Sequence, residues 1–290
     1  MPSIIPIIAY VLFVGGSYVV AIHLAAPKGP RNDPRIIKSR VIRVSLVSIL
    51  QYHLAQYILV GKLRVVPDNN ALLQILGLKS LYSAESSKQI YNTLKLFLIL
   101  FAGPVLDLVI ECDFNFYSHY TSISEAIRDL LVAPLTEEFF YTSLTTGSLL
   151  AFELSKRNQE DLTSYSPALF YKDPSITRYL ELSPLVFGFA HLNHGIEMYR
   201  AGHYWGQIIG VCGFQCLYTT LFGYLTNRVF VNTGNFWCCF TAHSFCNFIG
   251  FPKLTTEGGL PYKILYWGLL LAGIYGFGSM FDEVTHGKAW

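Results

Sequence analysis

The stretch Ala133-Pro134-Leu135-Thr136-Glu137-Glu138-Phe139-Phe140-Tyr141-Thr142 places two adjacent carboxylates inside an apolar, aromatic segment of roughly membrane length. A charged side chain at bilayer depth costs at least about 2.5–3.5 kcal/mol on insertion scales, so intramembrane acids are functional candidates. The rest of the 290-residue chain bears on what surrounds them. It is 52% hydrophobic, 15% aromatic and only 14% charged. Soluble domains carry about 25% charged residues, so an all-α polytopic membrane protein is expected. A net charge of +2, with no basic stripe interleaved with aromatics, argues against nucleic-acid binding.

The apolar pattern predicts eight transmembrane helices enclosing an intramembrane cavity. They lie at about Ser3–Ala26, Val44–Val60, Leu94–Ile110, Ser124–Phe152, Tyr179–Leu192, Tyr204–Phe230, Phe236–Phe251 and Ile264–Phe281. The second carries Gln51, His53 and Gln56, which suits a face turned to protein. Pro104 should kink the third, with Asp107 as a structural partner near its end. Between the fourth and fifth, a charge-balanced stretch containing Pro167 and Pro174 reads as an extramembrane loop. Thr233-Gly234-Asn235 and Gly258-Gly259 read as joints. No repeat or linker divides the chain, so residues 1–290 form one membrane domain with a motif-bearing core at about 124–252.

A basic run, Lys28, Arg31, Arg35, Lys38, Arg40 and Arg43, follows the first span and is opposed only by Asp33. The positive-inside rule puts it in the cytosol and the N-terminus across the membrane. The stretches 62–90 and 153–178 also carry basic residues and do not repeat the bias. The six cysteines, Cys112, Cys212, Cys216, Cys238, Cys239 and Cys246, lack zinc-ribbon spacing and fit small apolar packing residues better than a disulfide framework.

Three polar clusters interrupt the apolar background: Glu137-Glu138, then Phe187 through His194, then His243 through Asn247. Phe187 and His191 are four apart, as are His243 and Asn247, so each pair shares a helix face. If the three helices are neighbours, the carboxylates, two imidazoles and an amide converge. A carboxylate in a low-dielectric pocket can serve as a general base. Imidazole and amide donors can stabilise an oxyanion. The same residues also admit a proton or cation relay in a carrier. A zinc site of two His and one Glu is a further option, although His191, His194 and Glu197 form only a loose series and His-Glu-x-x-His is absent. His53, His203 and His286 belong to interfaces or tails.

These clusters resemble the CAAX prenyl protease 2 family, glutamate-type intramembrane endopeptidases of the wider CAAX-protease and bacteriocin-processing superfamily. Its pattern is Glu-Glu-x-x-x-Arg, Phe-x-x-x-His and His-x-x-x-Asn/Asp. Here Glu137-Glu138, Phe187 to His191 and His243 to Asn247 follow in that order, with flanks similar to endoplasmic-reticulum members. The resemblance implies an enzyme that hydrolyses the bond after a prenylated cysteine and releases the terminal tripeptide. It implies Glu137, His191, His243 and Asn247 as catalytic residues, with Glu138, Phe187, His194 and Thr142 in support. Glu137 would activate water, His191 would assist, and His243 with Asn247 would hold the oxyanion. No metal or cofactor is expected. The partners implied are prenylated CAAX-terminal proteins, such as small GTPase-like substrates, and the bilayer, from which the prenyl chain enters sideways. The cavity would open to the cytosol.

One position departs from the pattern. Thr142 stands where the family has arginine. Glu138 must then be protonated, bonded to neutral donors, or paired with a cation from elsewhere, with Arg128 and Arg200 as candidates. Two rivals remain: a proton-coupled transporter using the Glu/His cluster as a relay, and a non-catalytic homologue that holds lipidated partners.

Overall fold

The computed structural model describes residues 3–24, 27, 29–78, 82–110, 120–156, 178, 181–253 and 256–286. Among them every regular element is helical. Helix α1 spans Ile5–His23 and α2 spans Pro34–Ala55, continuing through a π-helical turn at Gln56–Lys62. A short α3, Asn69–Ile75, precedes α4, Ala84–Leu100, and α5, Ala102–Ile110. The long helix α6, residues 123–155, is α-helical except for π turns at Arg128–Val132 and Glu138–Leu144. Then come α7, Pro184–Ala190, a 3-10 turn at His191–Asn193, and α8, His194–Arg200. Helices α9, Trp205–Thr233, α10, Phe236–Ile249, and α11, Leu260–Thr285, complete the chain.

The expected eight spans are not reproduced as eight long apolar helices. Among the described residues, four are long and apolar enough to cross a membrane: Ile5–His23, Pro34–Lys62, Trp205–Thr233 and Leu260–Thr285. The pair α4–α5 makes a fifth if read as one broken span, bent by 80°. The bend lies just before Pro104, whose missing N–H is tolerated in the first turn of a new helix but not inside an old one. Asp107 is buried on α5 and pairs with Lys253 at 2.6 Å, the structural role expected of it. The second span begins earlier than its hydropathy indicated. Asp33 caps it by accepting from the Arg35 amide at 2.8 Å, and Pro34 opens the first turn. Arg35, Lys38, Arg40 and Arg43 therefore sit on α2 and not in a loop. Gln51 points inward and donates to Ser17 at 2.7 Å, whereas His53 is exposed.

Apolar side chains fill the core and also cover the outer helix faces, while a set of hydroxyl residues is buried. Large side chains such as Ile209, Leu217 and Leu221 on α9 and Leu260, Leu271 and Tyr275 on α11 are exposed. Such helix faces suit hydrocarbon contact. The hydroxyl residues Thr142, Ser143, Thr145, Thr146 and Ser148 of α6 are buried at the centre. Each finds a partner, as buried polar groups in lipid must. Ser143 donates to the Leu76 carbonyl at 2.7 Å and Thr146 to Asn227 at 2.9 Å. The remaining three are bonded within α6. The buried segment Leu72–Leu76 thus closes one side of α6. Gly234 ends α9 in a left-handed conformation (φ 62°), and Asn235 caps α10 by accepting from the Trp237 amide at 3.0 Å. This is the joint read from the sequence. The five described cysteines, Cys212, Cys216, Cys238, Cys239 and Cys246, are free thiols, and Cys112 lies outside the described residues, as do Pro167 and Pro174.

Helix α7, which carries Phe187, lies against α9 at a close crossing. A Cβ at Gly188 would stand 2.0 Å from Thr220 Oγ1 and 2.8 Å from the Cys216 carbonyl oxygen. The Cys216 contact is with backbone and cannot be relieved by a rotamer change. Gly188→Ala should therefore cost about 1–3 kcal/mol by overpacking. It should lower the midpoint of thermal unfolding in detergent, and an unchanged midpoint would contradict this packing.

Candidate active site

Glu137 and Glu138 are successive on α6 and meet different surroundings. Glu138 is 1% exposed and accepts two hydrogen bonds. Thr142 Oγ1 donates to its Oε2 at 2.6 Å, and His243 Nδ1 lies 2.8 Å from its Oε1. The question left by the missing arginine is answered by these neutral and ionisable donors. Neither arginine considered for the role supplies it. Arg128 is held by Asp129, through contacts of 2.6 and 2.8 Å, and lies 3.5 Å from Glu125. Arg200 closes α8 and makes no bond to Glu138 among the described residues.

Glu137 is partly accessible and lines an open cavity of about 100 Å³, room for several waters. His243 Nε2 stands 3.8 Å from its Oε2. One imidazole therefore lies between two carboxylates, bonded to the buried one and facing the accessible one. Tyr18 of α1 donates to Glu137 Oε1 at 3.2 Å and lies 3.2 Å from Thr136 Oγ1. This contact from a helix 119 residues away was missed in the sequence. A signal existed: Ile7, Tyr10, Val11, Val14, Tyr18 and Ala21 form the buried stripe of α1, and a tyrosine on such a stripe needs a polar partner.

His191 lines the same cavity as Glu137. Its Nδ1 lies 2.9 Å from the Phe187 carbonyl, an acceptor, so Nδ1 carries the proton and Nε2 is the free ring nitrogen. Phe187 is buried, with its ring centroid 4.8 Å from His191 and 6.1 Å from His243. It spaces the two imidazoles. Tyr141 packs on its other side at 4.9 Å. His194 also lines the cavity, with Nδ1 2.9 Å from Gln215 Oε1.

Asn247 is one turn beyond His243, but it is exposed and does not line this cavity. Its amide donates to the Asp129 carbonyl at 2.8 Å. Ser244 donates to the Leu130 carbonyl at 2.7 Å. Both carbonyls belong to the first π turn of α6. The expected convergence therefore holds for the glutamates, His191 and His243, and not directly for Asn247. The loose His191, His194, Glu197 series lines this one cavity, with the two imidazole centroids 5.8 Å apart. Glu197 receives Arg40 at 2.7 Å, and among the described residues no group of three His, Cys, Asp or Glu side chains is arranged to hold a metal ion. Burial works to raise the Glu197 pKa, but Arg40 outweighs it and holds the carboxyl below its ordinary value. His203 is exposed and bonds Gln207, and His53 contacts Gln56.

The type II CAAX prenyl endopeptidase Rce1-like family matches residues 120–249, which hold every residue named above except those from α1 and α2. CAAX prenyl protease 2 of Saccharomyces cerevisiae is 31% identical over 264 residues, covering 83% of this chain and 78% of that protein. CAAX prenyl protease 2 of Homo sapiens is 28% identical over 253 residues, 82% of this chain and 68% of that one. A probable CAAX prenyl protease 2 of Schizosaccharomyces pombe is 26% identical over 274 residues, covering 91% and 86%. No solved structure matches the chain. The ordered Glu-Glu, Phe-to-His and His-to-Asn positions, and the identity to the Saccharomyces protein across most of both chains, give one conclusion: this chain belongs to the CAAX prenyl protease 2 family.

Proposed function

We propose that the chain is a membrane endopeptidase that hydrolyses the peptide bond after a prenylated cysteine and releases the C-terminal tripeptide. Residues 1–290 act as one domain in this reading. The observation that carries it is His243, bonded to Glu138 at 2.8 Å and 3.8 Å from the cavity-lining Glu137. Glu137 takes a proton from water as general base. The free Nε2 of His191 holds that water from the other side. The hydroxide attacks the carbonyl of the modified cysteine, and Glu137 passes the proton to the departing amine.

His243 is the electrophile. Glu138 stabilises its protonated form, so that Nε2–H can donate to the developing oxyanion, as the carboxylate of a triad orients and stabilises its histidine. Thr142 fixes the Glu138 carboxylate for this task. Asn247 is the second donor. Its amide is held by the Asp129 carbonyl and exchanges that partner when substrate arrives. The apolar wall at Ile22, Val41, Val44 and Val132 offers a path for a prenyl chain arriving from the bilayer. The positive-inside rule, applied to the basic run that includes the cavity-lining Arg31 and Arg40, supports a mouth open to the cytosol. The family resemblance supports residence in the endoplasmic reticulum.

A farnesylated CAAX peptide presented in detergent or proteoliposomes, with mass detection of the freed tripeptide, tests the activity. No tripeptide from well-folded protein would refute it, and pH-coupled solute flux would point to a carrier. Glu137→Gln should reduce turnover by at least about 10³-fold. His191→Ala and His243→Ala should each lose about 10²-fold or more, with His194→Ala tolerated better. Equal losses at all three histidines would contradict the assignment. Thr142→Val, which keeps shape and removes the donor to Glu138, should lower kcat about tenfold, and Thr142→Ser should recover most of it. Tyr18→Phe should lower kcat by a similar factor with little change in KM, because it frees Glu137 to rotate. A KM effect alone would assign Tyr18 to substrate binding.

A further inference from the structure

We propose that Arg31 binds the free C-terminal carboxylate of the substrate peptide and so sets the site to remove a short terminal piece. The inference rests on the endopeptidase reading above and extends it to the far end of the leaving fragment.

Three arginines line the cavity that holds Glu137: Arg31, Arg40 and Arg128. Arg40 is engaged by Glu197 at 2.7 Å. Arg128 is engaged by Asp129 at 2.6 Å and lies near Glu125. The guanidinium of Arg31 makes no hydrogen bond or ion pair among the described residues, and the side chain is exposed at the cavity edge. Among the described residues it is the arginine of this cavity with no direct side-chain partner; Glu125 feels its charge but is itself held by Thr121 and Arg128.

Its position is fixed through its backbone. Arg128 Nη1 donates to the Arg31 carbonyl at 3.3 Å and to Asn32 Oδ1 at 3.0 Å. This ties the segment between α1 and α2 to α6 at the level of Arg128, nine residues before Glu137. At about 1.5 Å per residue, that separation is roughly 13 Å along the helix. Three extended residues span about 10–11 Å. A peptide whose scissile carbonyl lies at Glu137 therefore brings its third following residue close to the Arg31 level, within reach of a long side chain. A terminal carboxylate there meets a planar, permanently charged fork suited to bidentate pairing. An internal peptide bond carries no such charge. The contact favours chain ends over internal segments without any measuring device at the catalytic centre.

The test compares two farnesylated peptides that differ only in a free C-terminal carboxylate or a C-terminal amide. The native protein should favour the acid by about 10- to 100-fold in kcat/KM, mainly through KM. Arg31→Gln should bring that ratio close to one, and Arg31→Lys should keep part of the preference. A native protein that treats acid and amide alike overturns the proposal. So does an Arg31→Gln variant that loses both activities in equal proportion, the signature of a structural role. If the native protein releases tripeptide from neither peptide, the endopeptidase reading has failed. Equilibrium binding of the same two peptides to the native protein and to Arg31→Gln then decides the carboxylate site alone, by the same loss of preference.

Discussion

A carboxylate buried to the extent of Glu138 has to be answered by donors, because removing an ionised group from water costs several kcal/mol that only close hydrogen bonds offset. Much of the site's geometry follows from that constraint. Thr142 answers from the next turn of α6 at 2.6 Å, and His243 answers from α10 at 2.8 Å. The second bond fixes the imidazole, and with it the distance of 3.8 Å between Nε2 and Glu137. Helix α10 has only 14 residues, too short to take its orientation from length or from the bilayer. Its alignment comes from polar ties to α6: His243 to Glu138, Ser244 to the Leu130 carbonyl and Asn247 to the Asp129 carbonyl. The last two acceptors exist because Pro134, which has no N–H, stands four residues after Leu130 and five after Asp129, while the π turn Arg128–Val132 gives the Ala133 amide to Arg128. Such turns are frequent at functional sites. A regular helix would have engaged the Asp129 carbonyl with the Ala133 amide, but not the Leu130 carbonyl, whose partner position is Pro134.

The cavity rim is organised by the opposite problem, an excess of cations. Arg40 reaches from α2 to Glu197 on α8, and His23 at the end of α1 lies 3.0 Å from Asn193. These contacts hold the segment bearing His191 against the first two helices. The helices bearing Glu137, His191 and His243 come from three separate stretches of chain, and α1 and α2 pack against them. Tyr18 extends the same closure inward by contacting Glu137 directly.

Much of this was legible in the sequence, for identifiable reasons. Residues four apart on one helix must share a face, so the pairings of Phe187 with His191 and of His243 with Asn247 follow from spacing. Proline and glycine act locally, so the break before Pro104 and the turn at Gly234 could be placed. The Thr142 departure correctly marked Glu138 as needing a new partner. What could not be read was which distant helix supplied it. The bonds from His243, Tyr18 and Asn247 to α6 join residues 105, 119 and 118 positions apart, and no periodicity encodes helix neighbours. Hydropathy predicted about eight spans, and among the described residues four helices, or five with the bent pair, are long and apolar enough to cross, because hydropathy alone does not measure the length of an unbroken helix. Helices α7 and α10, of 7 and 14 residues, are shorter than the spans expected there. The start of α2 was misplaced because its first turns carry arginines and lysines that hydropathy rejects, while the cap at Asp33 and the proline after it marked the true boundary.

Replacing arginine by threonine changes how charge is distributed in the site, beyond the loss of one contact. An arginine four residues after Glu138 would be a permanent cation across one helical turn. Glu138 would then have a charged partner besides the His243 ring. Thr142 supplies a hydrogen bond and no charge. The Glu138 carboxylate and the His243 imidazole therefore depend on each other for their close contact, and removal of either side chain would leave the other buried without it. His243 also faces Glu137, so the base and the electrophile of the proposed reaction are linked through a single ring. The geometry of a site built this way is held by the buried pair itself, and the threonine hydroxyl keeps the carboxylate turned toward the ring.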